Sequence, residues 1–207
     1  MSRKFNTSMA AALAAGILVI ASQTASAEDA QRVRVRGAIE SLSGDTLVVK
    51  TREGADQTVM LKPGWKVAGI AKASVEDIKP GDFVGVASLP SADGGDGALE
   101  VLIFPAAMKG TGEGSRPWDL KPNSTMTNAT VAKAVKSVNG HSITLTYQGK
   151  EKTISIADDT PIVTFAPAGK TDLTPGARVI VMGEKSTDGA VSAAQVTVGT
   201  NGVVPPM

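Results

Sequence analysis

The stretch KGTGEGSRPWDLKPNSTMTNAT, residues 109–130, places glycines at 110, 112 and 114 ahead of Arg116. Alternating glycines before an arginine could cradle a phosphate on backbone N–H groups. The spacing argues against that chemistry. A P-loop needs a Gly-Lys pair before a hydroxyl residue, and the dinucleotide fingerprint needs a third glycine where Ser115 stands. Glu113 would set a carboxylate among the phosphate oxygens, and Pro117 and Pro122 interrupt the helix whose N-terminus would hold the anion. The stretch reads as a connection. Its Met108, Trp118, Leu120 and Met126 distinguish it from a flexible Gly/Ser linker. A Trp left in water forfeits one of the largest apolar burials open to a side chain. We therefore expect an ordered connection, with Trp118 docked against a folded module or in a cleft between two, and Arg116 pairing locally with Asp119. Arg116, Trp118, Asp119 and Met126, together with Trp65, are the interaction candidates.

Other chemistry is sparse. His141 is the sole histidine and stands in an Asn-Gly-His turn, so an exposed turn residue is the favoured reading. The loop Asp93-Gly94-Gly95-Asp96-Gly97 offers two carboxylates to a hard cation but lacks the spacing of a calcium loop and its distal Glu. His141, Asp93 and Asp96 are thus candidate metal ligands without a defined site, and no cofactor is expected. Methionines at 60, 108, 126, 182 and 207 are scattered rather than clustered. With no cysteine there is no disulfide, thiolate ligand or thiol nucleophile. One histidine leaves a Ser/His/Asp arrangement little to draw on, and no two of the 20 acidic residues stand out as a pair. No catalytic residue is expected, and the chain does not read as an enzyme. Aromatic residues make up only 3% of it, too few for the stacking platforms of single-strand nucleic-acid binders.

The first residues point to export. Arg3 and Lys4 precede an apolar run from Met9 to Ala21, and Ala25-Ser26-Ala27 has the small-x-small form of a cleavage site before Glu28. This is the pattern of a secretory signal peptide, 1–27, and the run is too short to span a membrane. Without Arg3 and Lys4 the 21 basic residues become 19 against 20 acidic, a near-neutral balance that gives no pull toward nucleic acid or anionic lipid. No later stretch has the ~20 consecutive apolar residues of a transmembrane helix. The expected mature protein is soluble and periplasmic.

The elements that would position any site come in two copies. VRGAIESLSGDTLVVKTREG from Val35 can be laid on VAKAVKSVNGHSITLTYQG from Val131, so that Ile39 meets Val135 and Gly44 meets Gly140. Further on DIKPGDFVGV from Asp77 matches DLTPGARVIV from Asp172, and DGAL at Asp96 matches DGAV at Asp188. Both copies alternate apolar and polar residues with a period of two, the mark of half-buried strands. We read strands at 32–41, 46–51, 57–62, 82–88 and 99–104, and again at 131–138, 142–147, 152–156, 178–182 and 193–198. Five short antiparallel strands in ~70 residues suit a small barrel, since closure removes exposed edges. The expected fold is all-β, with two tandem barrels of OB-like or SH3-like type packed together. The expected units are a first barrel repeat at 28–104, an ordered linker at 105–130, a second repeat at 131–200 and a tail at 201–207.

The segments GAIESLSGDTLVVKTREG, DIKPGDFVGVASL and DGALEV resemble exported bacterial β-rich domains of unknown function. With FPAAMKGTGEGSRPWDLKPNSTMTNATV between the copies and a GVVPPM end, the chain resembles a group of alphaproteobacterial exported proteins, some of which carry the label "metal ABC transporter permease". The resemblance implies a barrel-like fold and a periplasmic address, no reaction and no assigned residues. A permease crosses the membrane several times, which this chain does not do once cleaved. The expected function is a non-enzymatic periplasmic binding or interaction module for a protein or envelope component. The alternative is an accessory role in metal transport or homeostasis.

Overall fold

A computed structural model describes residues 31–91, 94–137 and 140–205. The expected signal peptide, 1–27, and the candidate ligand Asp93 lie outside the described residues. The protein is all-β: among the described residues the helical elements are three short 3-10 turns, and no helix is long and apolar enough to cross a membrane. The strands are β1 (Gln31–Ser43), β2 (Thr46–Thr51), β3 (Asp56–Lys72), β4 (Phe83–Pro90), β5 (Asp96–Ile103), β6 (Gly114–Pro117), β7 (Thr125–Ser137), β8 (Gly140–Tyr147), β9 (Lys150–Ile156), β10 (Ile162–Ala166), β11 (Arg178–Lys185) and β12 (Val191–Gly199).

All ten expected strands form. Two more, β6 and β10, do not show in the periodicity, and β3 runs well past Leu61. The strand expected at 57–62 continues through Pro63-Gly64, a bend within one strand absorbed by Gly64 at φ 76°. Beyond it Trp65 turns inward and Val67 to Ile70 find new partners.

Pairing decides the architecture. β11, β1, β2, β3 and β12 are hydrogen-bonded in that order, and β12 returns to β11, closing a five-strand barrel. β1, β2 and β3 lie within residues 31–72, whereas β11 and β12 lie within residues 178–199. β4, β5, β7, β8 and β9 continue the sheet, with β4 between β5 and β7. Asp96↔Ile154 and Gly97↔Ser155 bring β9 back to β5. One barrel per copy is therefore not how the strands pair, because the last hairpin of each copy leaves its own first three strands. The reason lies in the middle of the chain: β3 and β10 pair antiparallel, Phe165 against Ile70, and β4 and β11 then depart to opposite sides.

The registers of the two halves repeat. Val101 pairs with Ile162 as Val196 pairs with Val67, and Val84 pairs with Ile103 as Val179 pairs with Val198, each residue 95 positions from its counterpart. The same turn follows β3 and β10: the Asp77 carboxylate accepts the Ser74 N–H at 2.8 Å and the Asp172 carboxylate accepts the Gly169 N–H at 2.7 Å. In the first strands the equivalence differs from the sequence match by four residues. Ile39 opposes Val49 just before an irregularity in β1, and it is Val131, opposing Leu145, that holds this place in β7. Val131 is buried, whereas Val135, the residue matched to Ile39 by sequence, is 49% exposed.

Two apolar cores result. One packs Val35, Ile39, Leu47, Val49, Val59, Leu61 and Trp65 against Leu173, Val179, Val181, Val191, Ala193, Val196 and Val198. The other joins Ile78, Val84, Val86 and Val101 to Ala129, Val131, Ile143, Leu145, Ile154, Ile156 and Ile162. Each core draws on both halves of the chain.

Candidate functional site

β4 and β11 are apolar on both parities. Val84 and Val86 face one core and Val179 and Val181 the other, which leaves Gly85, Ala87, Ile180 and Met182 to point away from them. These outward residues, with Leu102, Thr197, Ile70 and Phe165, line a cleft between the two sets of strands, a cavity of about 330 Å³. Phe104 adds to its wall, standing 5.7 Å from Phe165 and 5.4 Å from the buried Phe83 between ring centroids. The lining is hydrocarbon except at a few points, chiefly Glu100, Arg116, Asn128 and Gln195.

The segment that joins β5 to β7 lies along this cleft as a strap. Met108, Thr111, Arg116, Trp118 and Met126 all contribute to its lining. β6 pairs with the start of β7, so part of the expected linker, from Thr125 onward, is sheet. The buried Asn128 donates Nδ2–H to the Thr111 carbonyl at 3.0 Å, and Glu113 accepts the Gln148 N–H at 2.8 Å. At the turn Trp118 donates its N–H to the Ser124 carbonyl, and the Ser124 hydroxyl bonds back to the Trp118 carbonyl at 3.0 Å. The strap is thus tied to β7 and to the β8–β9 turn.

A latch fixes it to the barrel as well. Arg36 grips Asp119 with two N–H···O bonds of 2.8 and 2.9 Å, and Arg34 approaches the same carboxylate at 3.3 Å. The Arg34 guanidinium lies 4.0 Å from the Trp118 ring centroid, a cation–π contact. Asp119 therefore pairs with β1 and not with Arg116, whose Nη1 donates to the Gly112 carbonyl at 2.9 Å. In the sequence Val-Arg-Val-Arg reads as an ordinary half-exposed strand. Only the fold reveals that Arg36, 5% exposed, is buried under the strap.

Hydrogen bonds from Arg36, aided by the Arg36 and Arg34 charges and opposed by burial, hold the Asp119 carboxyl at about 2, below its ordinary 3.8. A carboxyl depressed on folding stabilises above its unfolded pKa, and that contribution is lost as pH falls from about 4 through about 2. Asp119 is half-exposed, so screening reduces the pH-dependent part to roughly 1 kcal/mol. Asp119→Asn is expected to shrink the stability difference between pH 5 and pH 2.5 by that amount, read from urea unfolding at both values. An unchanged difference would show that the latch contributes nothing.

The remaining candidates lie elsewhere. Trp65 is a core residue whose Nε1–H donates to the Asp45 carboxylate at 2.8 Å, with the Lys170 ammonium 4.2 Å over its ring. Asp96 is ion-paired with Lys152, which also approaches the Ser88 and Thr125 hydroxyls at 3.4 and 3.3 Å. His141 is not the exposed turn residue expected: it is the second residue of β8, half-buried opposite Lys136 and Ile156, in a groove with Glu76, Asp158 and Asp159. Fold and strap thus bring Arg116, Trp118 and Met126 together at one cleft and leave His141 and Asp96 apart. Among the described residues no group of three His, Cys, Asp or Glu side chains is placed to hold a metal ion. Ile70, Ile180 and Met182 could have been found by noting that their strands stay apolar on the outward parity.

A closed barrel extended by further strands, with an apolar cleft beneath a strap, describes the class of this protein. The family model of a domain of unknown function, DUF5666, matches residues 134–197. That segment runs from β7 to β12, so it spans strands of both cores rather than one closed unit. No curated protein and no solved structure matches the chain.

Proposed function

We propose that this protein is a soluble, non-enzymatic binding protein of the periplasm, and that the cleft beneath the strap holds its ligand. The reading includes a duplicated module whose copies have exchanged their last hairpins, so that two barrels face each other across the cleft. The registers repeating at 95 residues and the paired Asp77 and Asp172 turns support the duplication. The pattern of Arg3, Lys4, the apolar run and Ala25-Ser26-Ala27 supports export. A mature N-terminus other than Glu28 in protein recovered from the periplasm, or recovery only from the cytoplasm, would refute that part.

One observation carries the function: strands already buried on their inner face spend apolar side chains on a second, outward face, and these converge on a cavity of about 330 Å³. That volume is at the small end of ligand sites, which suits a small envelope component rather than a folded partner. The groups facing it are Phe104, Phe165, Ile180 and Met182, not a nucleophile beside a base.

The neutral dye N-phenyl-1-naphthylamine brightens on entering apolar surroundings and tests the reading. Mature protein is expected to enhance its emission to saturation at one dye per chain. Thr197→Trp, which fills the cavity from β12, should abolish the response while the melting transition persists. No enhancement, or equal enhancement by the variant, would overturn the assignment of the cleft.

A further inference from the structure

The apolar cleft does not end at the strap. Arg116, Trp118 and Met182 line it on one side and, on the other, line an open basin of about 730 Å³. The two spaces therefore share a boundary built from one cation, one indole and one thioether. The basin is polar and basic: Arg32, Arg34, Lys62 and Arg116 line it against Glu113 and Glu184. The acids are engaged. Glu184 is ion-paired with Lys62, and Glu113 accepts the Gln148 N–H. Arg34 is shared with Asp119. Among the described residues neither Arg32 nor Arg116 forms an ion pair.

Arg116 is the focus. It is the one basic residue lining the apolar cleft, and Nη1 spends itself on the Gly112 carbonyl, which leaves most of its N–H donors for another acceptor. Arg116 is exposed overall, and its partial burial together with the neighbouring Arg34 charge pushes the guanidinium below its ordinary value. Glu100 is the one acidic residue of the apolar lining, on β5 with Leu102.

From the binding reading above, on which this step rests, we propose that the ligand is an amphipathic anion: an alkyl or aryl group occupies the apolar cleft, and a carboxylate meets Arg116 at the boundary with the basin. A planar guanidinium and a carboxylate match in two parallel N–H···O bonds, stronger than bonds between neutral groups. Arg32 and Arg34 extend the favourable potential along the basin and speed the approach of an anion. Trp118 covers the junction where the ligand changes from apolar to charged, a place suited to an indole.

Displacement of N-phenyl-1-naphthylamine from the mature protein at fixed salt by decanoate, decan-1-ol and decyltrimethylammonium tests this. Decanoate is expected to displace the dye at about one-tenth the concentration of the alcohol, with the cation weakest. Arg116→Gln should erase the difference between acid and alcohol, each measured against that variant's own dye affinity, and Arg116→Lys should keep part of it. Equal potency of acid and alcohol, or a preference that survives Arg116→Gln, would overturn the anion assignment while the apolar site stands. Absence of dye binding to the wild type would remove both. Should Arg116→Gln unfold, Arg32→Gln, from the exposed end of the basin, is expected to weaken decanoate by a smaller factor without affecting the alcohol, and no change there would count against the proposal.

Discussion

A fragment of residues 28–104, the whole first sequence copy, is expected to have no cooperative unfolding transition. Its β1, β2 and β3 would lack β11 and β12, which in the intact chain pair with β1 from Gln31 to Ala38 and with β3 from Val59 to Ile70. Half of the core around Leu47 and Val49 would be missing, since Leu173, Val179, Val181, Val191, Ala193, Val196 and Val198 belong to the other copy. At about 1.5–3 kcal/mol for each buried Val or Leu side chain, that loss is as large as the ~5–15 kcal/mol by which whole domains are stable. The fragment's β4 and β5 would fare worse, because most of their core partners, among them Ile143, Leu145 and Ile154, lie beyond residue 104. Two bare sheet edges would also be open to aggregation. Circular dichroism on heating reads the outcome, and adding a fragment of residues 105–207 should restore a single sharp transition. Cooperative melting of 28–104 alone would mean that each copy closes on itself.

Gly37→Ala is expected to destabilise the protein by more than about 3 kcal/mol, beyond the usual range for an overpacked site. Gly37 sits in β1 with an ordinary backbone conformation, so the cost is purely steric. A Cβ there would lie 1.9 Å from the Lys50 carbonyl oxygen and 2.7 Å from its carbon. Both atoms are backbone of β2, fixed by the pairing of Ala38 with Lys50, and no rotamer change can move them aside. Gly97→Ala supplies the contrast. Its Cβ would meet nothing within 4 Å, and Gly97 also lies in a strand, so a change within about 0.5 kcal/mol is expected. Urea midpoints of the two variants check the pair, and similar values would show that β1 and β2 do not approach so closely at this point.

Strand content was readable from the sequence because alternation depends only on which face is buried. Val35, Ile39, Leu47 and Val49 keep the same inward parity whether their ring is closed by β5 or by β12, so the choice of closing strand leaves no local trace. The crossing of β3 was hidden by Pro63-Gly64, which ordinarily marks a loop. The four-residue offset between β1 and β7 was hidden by two glycine turns that align well, Gly44 with Gly140, although the β7–β8 hairpin is longer. At the site, Trp118 was legible because a lone indole in a polar stretch needs a shelter. Arg34 and Arg36 were not, since the strap that they hold, and that buries Arg36, lies 83 residues away from Arg36 at Asp119.

The most direct test of a ligand site beneath the strap is a two-dimensional ¹H–¹⁵N spectrum of the mature protein titrated with N-phenyl-1-naphthylamine. The chain has two tryptophans, one at the cleft and one in a core, so the two indole N–H signals act as reporters. The Trp118 signal should move to saturation together with the amides of Gly85, Ile180 and Thr197, while that of Trp65, bonded to Asp45, stays in place. Movement centred instead on His141 and Lys72, or no movement at Trp118 at saturating dye, would contradict the account.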